Sequence, residues 1–283
     1  MERQKRVLAI HDISCVGRCS LTVALPILSC AGLDTAVLPT AILSTHTGGF
    51  QGYTYRDLTG DMMPVTAHWK GLGLRFDALY SGFLGSYDQI DLVAGLMEDF
   101  HSESTLRMVD PVMADNGRLY ATYTKEMAQG MHRLCRKADI ITPNMTEACI
   151  LLNIPYKPEG FSREETEDML RGLCSLGPRM AVLTGVTLGL DQLGTAAYDA
   201  AAGEVSYAFE GRYPGIFHGT GDILASALLS GLMNGKSLKD AASLAVKFTH
   251  RCIQYALESG QEKRFGVRFE AALPYLIELL QQR

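Results

Sequence analysis

His218-Gly219-Thr220-Gly221-Asp222 runs directly into Ile223-Leu224-Ala225-Ser226-Ala227-Leu228-Leu229-Ser230-Gly231, and this stretch decides how the chain is read. It joins a glycine turn to a helix of small and apolar residues. Two glycines let the backbone turn tightly and bring N–H groups close to a ligand. The helix start adds N–H groups with no intrahelical partner and a favourable dipole. Together these make a site for an anion such as a phosphate with developing charge. Asp222 falls in the first turn, where the dipole is expected to favour its ionised form and make it a weak base. A loose transition state for phosphoryl transfer tolerates a weak base, because the acceptor hydroxyl releases its proton late. Read alone, Thr220 or Asp222 equally fits a simple helix cap. The position of the stretch, late in the chain and behind a long alternation of strands and helices, sets it apart.

Working outward, short apolar runs rich in Val, Ile and Leu occur at Arg6–His11, Thr35–Thr40, Ala78–Gly82, Arg107–Asp110, Asp139–Thr142 and Met180–Thr184. Between them, helical periodicity marks Ser20–Ala31, Gln89–His101, Thr124–Lys137 and Arg163–Leu176. Such alternation predicts βαβ units and a mainly parallel sheet covered on both faces. Leu193–Tyr198 and Glu204–Glu210, joined by Asp199–Gly203, read as an antiparallel hairpin at one end of the sheet. Helices alone follow, at Asp222–Asn234, Ser237–Ser259 and Val267–Gln281. No linker, repeat or low-complexity tract interrupts the chain, so residues 1–283 are expected to form a single α/β domain. Ligands of open parallel sheets sit beyond the carboxyl ends of the strands. The polar residues there, including Asp12, Asp110, Asn144, Thr184 and Gly185, form a plausible rim for a site.

Composition removes several classes of function. Lys and Arg number 26 against 31 Asp and Glu, a net charge of −5. An acidic balance argues against a primary role on nucleic acid, which asks for a basic face. The seven cysteines include no C-x-x-C pair, which fits reduced thiols and a cytoplasmic protein. The apolar run behind Met1–Arg6 is too short for a signal peptide, and no stretch reaches the ~18 apolar residues of a membrane span. No Walker motif occurs, and no G-x-G-x-x-G follows the first strand.

G-T-G-D opening a late helix resembles the anion-hole and base signature of the ribokinase-like superfamily. Within it, the chain is similar to the pyridoxal kinases over nearly its whole length. Ser44-Thr45-His46-Thr47-Gly48 resembles the S-N-H-T loop over the B6 ring. Ser81-Gly82-Phe83-Leu84-Gly85 resembles the [ST]-G-Y-x-G strand end. Asp110-Pro111-Val112-Met113 resembles the D-P-V-[ML] segment near phosphates and metal. Thr142-Pro143-Asn144-Met145-Thr146-Glu147 resembles T-P-N-x-x-E, and Thr184-Gly185 falls where the family binds ATP phosphates.

The resemblance implies a three-layer α/β/α sandwich with a mainly parallel central sheet. It makes Asp222 the catalytic base and Gly219, Thr220 and Gly221 the anion hole. It gives ATP to Asp110, Asn144, Thr184 and Gly185, and Mg²⁺ to Asn144 and Glu147, partly through water. The B6 ring falls to Asp12, His46, Thr47 and Phe83. K⁺ and a homodimer are also implied by the resemblance alone. Residue by residue, other readings stand beside these. His46 fits a buried, hydrogen-bonded loop histidine, and Asn144 with Glu147 has the spacing of a capping box.

Two positions depart from the family. Asp12 stands where a serine usually meets the pyridine ring, and Phe83 replaces the usual tyrosine. A carboxylate there favours a protonated ring nitrogen or a cationic aminomethyl group. Pyridoxamine is therefore expected to be handled at least as well as pyridoxal. A hydroxymethylpyrimidine kinase is the nearest alternative, and a non-catalytic B6-binding protein is the alternative from another class.

Overall fold

Val7, Leu8, Ala9 and Ile10 have no solvent exposure, and this unbroken apolar run forms strand β1, Arg6–Ser14. Burial on both faces is what a strand inside a parallel sheet requires. In the computed structural model, which describes residues 3–189 and 191–282, the chain continues through α1 (Leu21–Cys30), β2 (Asp34–Leu43), β3 (Tyr55–Asp57), α2 (Thr59–Gly71) and β4 (Ala78–Ser81). It then forms α3 (Tyr87–Asp99), β5 (Leu106–Val109), β6 (Ala114–Asp115), β7 (Arg118–Leu119), α4 (Lys125–Cys135), β8 (Ile140–Ile141), α5 (Met145–Leu152) and α6 (Arg163–Ser175). The hairpin β10 (Gln192–Asp199) and β11 (Glu204–Gly211) follows β9 (Met180–Val186), and α7 (Thr220–Met233), α8 (Leu238–Glu258) and α9 (Leu273–Gln281) close the chain. The ends of the expected domain, Met1 with Glu2 and Arg283, lie outside the described residues, as does Leu190.

The chain divides into two compact units, one combining the residues up to Ala78 with those from Tyr213 onward, the other running Leu79–Arg212. In the first, β1 and β2 pair in parallel from Arg6 opposite Asp34 to Ser14 opposite Leu43, and β3 lies antiparallel to β2. The β1–β2 register slips between His11 and Ile13, which places Asp12 at a bulge. Bulges re-aim side chains and are common beside functional sites. Helices α1, α7, α8 and α9 pack together in this unit around Val23, Ala227, Phe248 and Leu276, each without exposure.

In the second unit the strand order is β11-β10-β9-β8-β5-β4. The pairs β5–β8 and β8–β9 are parallel, whereas β9–β10 and β10–β11 are antiparallel. The fold is α/β, with a mixed, mainly parallel sheet, an antiparallel hairpin and flanking helices, as the sequence pattern predicts.

The differences from expectation have physical reasons. Helix α2 buries only Met62 and Thr66 and contains Pro64, so it shows little periodicity. All three residues of β3 are exposed, which removes the strand signal. The last helix does not begin at Val267; a 3-10 turn covers Glu270–Ala272, and Pro274 starts α9 in the position where a missing N–H costs nothing. Between β6 and β7, Asn116 and Gly117 both adopt positive φ, the Asn-Gly pattern of a tight hairpin.

Candidate active site

In the first unit, the glycine turn is shaped by a close approach. Gly219 is the N-cap of α7 with φ 78°, and a Cβ there would run into the Arg18 carbonyl. A side chain at this position is excluded both by conformation and by space. The Thr220 hydroxyl donates to the Phe217 carbonyl at 3.0 Å and closes the turn. Two residues on, Asp222 Oδ2 accepts the Ser20 N–H at 2.8 Å. Asp222 keeps some exposure, yet enclosure by the protein pushes its carboxyl up to about 7, with the Asp12 charge acting the same way and the Ser20 N–H opposing. This corrects the expectation of a weak base: desolvation outweighs the helix dipole. A carboxyl that titrates near neutrality is well matched to general-base work.

Asp12 is 3% exposed at its bulge and accepts the Ser14 hydroxyl at 3.2 Å. Burial raises its carboxyl, and the hydroxyls of Ser20 and Ser14 act against that rise. His46 is the buried, hydrogen-bonded loop histidine. Its Nε2 lies 2.6 Å from the Arg264 carbonyl, which can only accept, so this nitrogen carries the proton. Its ring sits 5.0 Å from Phe50 and 5.2 Å from His218. Burial, and then the neighbouring His218, keep His46 neutral against the pull of the Arg264 carbonyl. Thr47 is exposed beside it.

The second unit carries the remaining predicted residues. Phe83 is half-buried, with its ring 6.5 Å from that of Tyr123. The Asn144 side chain accepts the N–H groups of Thr146 at 2.9 Å and Glu147 at 3.0 Å, and its amide donates to the Ala114 carbonyl at 2.8 Å. Glu147 answers by accepting the Asn144 N–H at 2.8 Å. The capping box is therefore present, and the Asn144 side chain is occupied by it. Glu147 also accepts the Met113 N–H at 3.0 Å. Burial, reinforced by the charge of Asp110, pushes its carboxyl well above the usual range. Asp110 itself is 7% exposed.

Two buried carboxyls, with the Asp110 charge raising that of Glu147, fit a hard cation, and Mg²⁺ characteristically binds one or two carboxylates together with water and phosphate oxygens. Both Glu147 oxygens already accept N–H groups, so the ion would share this carboxylate with them or reach it through water. Among the described residues, no cluster of three His, Cys, Asp or Glu side chains could hold a metal by itself.

A cavity of about 1000 Å³ opens at the strand ends of this unit and brings Asn144, Thr184 and Gly185 together with Lys157, Arg163 and Thr187. Thr184 bridges to Asn144 in parallel, and its N–H donates to the Pro143 carbonyl at 3.0 Å. Gly185 has φ 71°, the backbone that frees the strand end to turn. Sequence reasoning did not single out Lys157 and Arg163. Lys157 lies on the loop before the Gly160 turn and Arg163 opens α6 behind it, and their charge is the one signal they give. Ser20 was missed as well, because a serine ahead of a helix reads as an ordinary cap.

A base behind a glycine turn and a polar cavity at parallel strand ends are the parts of a small-molecule kinase. The phosphomethylpyrimidine kinase model matches residues 32–266, and the chain belongs to that family. A solved protein from Bacteroides thetaiotaomicron, provisionally assigned as a phosphomethylpyrimidine kinase, is 38% identical, covers 98% of this chain and 95% of its own, and superposes with a TM-score of 0.94. A second crystal form of that protein contains pyridoxal. The pyridoxal kinase of Lactobacillus plantarum is 33% identical over 98% of both chains, with a TM-score of 0.89. Among curated relatives, pyridoxal kinase PdxY of Pasteurella multocida is 27% identical over 97% of this chain and 96% of its own length. The chain spans only 43% of the chloroplastic thiamine biosynthetic bifunctional enzyme TH1 of Arabidopsis thaliana, to which it is 26% identical. The resemblance to pyridoxal kinases is thus borne out along the whole chain.

Proposed function

We propose that the protein transfers the terminal phosphate of ATP to the 5′-hydroxymethyl group of a vitamin B6 vitamer: pyridoxal, pyridoxamine or pyridoxine. The observation that carries this reading is Asp222, fixed by the Ser20 N–H behind the glycine turn and titrating at about 7. In that state it takes the proton of the acceptor hydroxyl, while the Gly219–Asp222 N–H groups face the charge that develops on the phosphate. Asp12, with His46, Thr47 and Phe83, holds the ring. Thr184, Gly185, Asp110 and Asn144 serve the nucleotide, Asn144 by shaping the strand-end turn through its cap. Mg²⁺ belongs at Asn144 and Glu147, partly through water, with the Asp110 carboxyl beside Glu147, and there it would offset phosphate charge. Cytoplasmic location, a homodimer, a K⁺ requirement and one catalytic domain made of both units belong to the same reading.

The pyridoxal-bound crystal form of the Bacteroides relative supports a B6 acceptor, and so does Asp12. A buried carboxylate gains most from a cationic partner, such as a pyridinium or an aminomethyl group. The family model favours a second reading, phosphorylation of hydroxymethylpyrimidine. A non-catalytic binder is disfavoured, because the base and the glycine turn are intact.

The test is ATP-dependent phosphorylation of pyridoxal, pyridoxamine, pyridoxine and hydroxymethylpyrimidine assayed separately, with Asp222→Asn as control. Turnover of a B6 form that collapses in the control supports the proposal. Turnover of the pyrimidine alone moves the protein to the second reading. ATP binding with no turnover of any acceptor favours a non-catalytic role.

A further inference from the structure

Ser20 occupies the N-cap position of α1, where a serine side chain ordinarily accepts an N–H of the first helical turn. Here it makes no such bond, and its backbone sits at φ 54°, ψ −130°. That combination lies outside the left-handed helical region and is one that glycine, not serine, populates. Such a conformation persists only where the surroundings impose it.

Each group of Ser20 has a separate task. Its N–H donates to Asp222 Oδ2 at 2.8 Å. Its carbonyl accepts the N–H groups of Val23 at 3.0 Å and Ala24 at 2.9 Å, which starts α1. Its hydroxyl acts against the burial that raises the Asp12 carboxyl. The preceding residues are pinned as well. The Thr22 hydroxyl donates to the Cys19 carbonyl at 2.8 Å, and the Arg18 N–H donates to the Phe265 carbonyl at 3.0 Å. The Arg18 carbonyl presses on the space left by Gly219. The Gly17–Ser20 loop is thus clamped against the glycine turn, and Ser20 is 8% exposed.

We infer that Ser20 is a positioning residue: its strained backbone aims one N–H at the Asp222 base. The inference rests on the proposed B6 kinase reading.

Two variants test the backbone role. Ser20→Gly adopts this conformation without strain and keeps its N–H on Asp222, whereas Ser20→Val is β-branched and resists positive φ. Ser20→Gly is expected to melt a few degrees above wild type and to retain its kcat. Ser20→Val is expected to lose about ten-fold in kcat with the KM for ATP unchanged, and to move the acid limb of kcat/KM to higher pH, because the Ser20 N–H opposes the rise of the Asp222 carboxyl. A Ser20→Val enzyme with wild-type kcat and an unmoved acid limb overturns the inference, and so does a Ser20→Gly enzyme that loses ten-fold in kcat. The wild-type enzyme is measured alongside. Its failure to phosphorylate any B6 form would defeat the functional reading and this inference with it, whereas normal wild-type turnover with either contrary result defeats the inference alone.

Discussion

The two units build their functional clusters by opposite means. In the first, the groups are enclosed: Asp12 and His46 are 3% and 5% exposed, Ser20 is strained, and Gly219 admits no side chain. In the second, Asn144, Thr184 and Gly185 line an open cavity of about 1000 Å³ together with Lys157 and Arg163, while the carboxyls of Asp110 and Glu147 are buried. The difference suggests a division of labour. Enclosure raises the basicity of Asp222, with the Asp12 charge acting the same way, and in the proposed reading this pair would select the acceptor. An open, polar cavity suits a highly charged, hydrated nucleotide that must enter and leave.

The largest effect should come from the enclosed side. Asp222→Asn is expected to lower kcat by about 10³-fold, within the range for general-base loss, and to leave the ATP KM alone. Steady-state kinetics check this. The same change should stabilise the protein. Because burial raises the Asp222 pKa, the folded chain holds a proton that the unfolded chain has lost between the ordinary carboxylate range and about 7. The stabilising contribution of that proton is complete at low pH and is lost as pH rises through about 7. The variant should therefore melt a few degrees above wild type at pH 8, and the gap should narrow towards pH 5. A variant less stable than wild type at pH 8 breaks the contrast between the units.

Glu147→Gln probes the second unit through its buried carboxyl. It should raise the KM for ATP·Mg²⁺ by roughly 10- to 100-fold, with the acceptor KM unchanged. A rise confined to the acceptor would reverse the assignment of roles. Gly219→Ala should cost about 1–3 kcal/mol in denaturant unfolding and about ten-fold in kcat, because it forces a Cβ onto the Arg18 carbonyl at positive φ. The smallest effect concerns pH. The acid limb of kcat/KM should have its midpoint at about 7, with activity lost below it, and should move to lower pH in Asp12→Asn, since the Asp12 charge helps to raise Asp222. An unmoved limb would show that desolvation alone sets the base.

What the sequence made legible follows the same division. The β–α alternation rests on continuous apolar runs such as Val7–Ile10, and the capping box rests on the fixed spacing of Asn144 and Glu147. Such signals are local, so the strand ends and the capping box of the second unit are visible in the letters, whereas Lys157 and Arg163 are not. The first unit's site depends on contacts between residues far apart in sequence: Ser20 with Asp222, Arg18 with Gly219, His46 with Arg264. No periodicity encodes these. The base strength of Asp222 was misjudged for the same reason. Its place in a first turn is visible in sequence, whereas its enclosure beside Asp12 is a product of the fold. Helix α2 was missed because it turns most of its residues to solvent.

The most direct test of the account is a competition assay: equimolar pyridoxamine and hydroxymethylpyrimidine offered together with ATP and Mg²⁺, with both phosphorylated products quantified. The account predicts mainly pyridoxamine 5′-phosphate from the wild-type enzyme and a reduced preference for pyridoxamine in Asp12→Ser. Preferential phosphorylation of the pyrimidine, or a preference indifferent to Asp12, would contradict it.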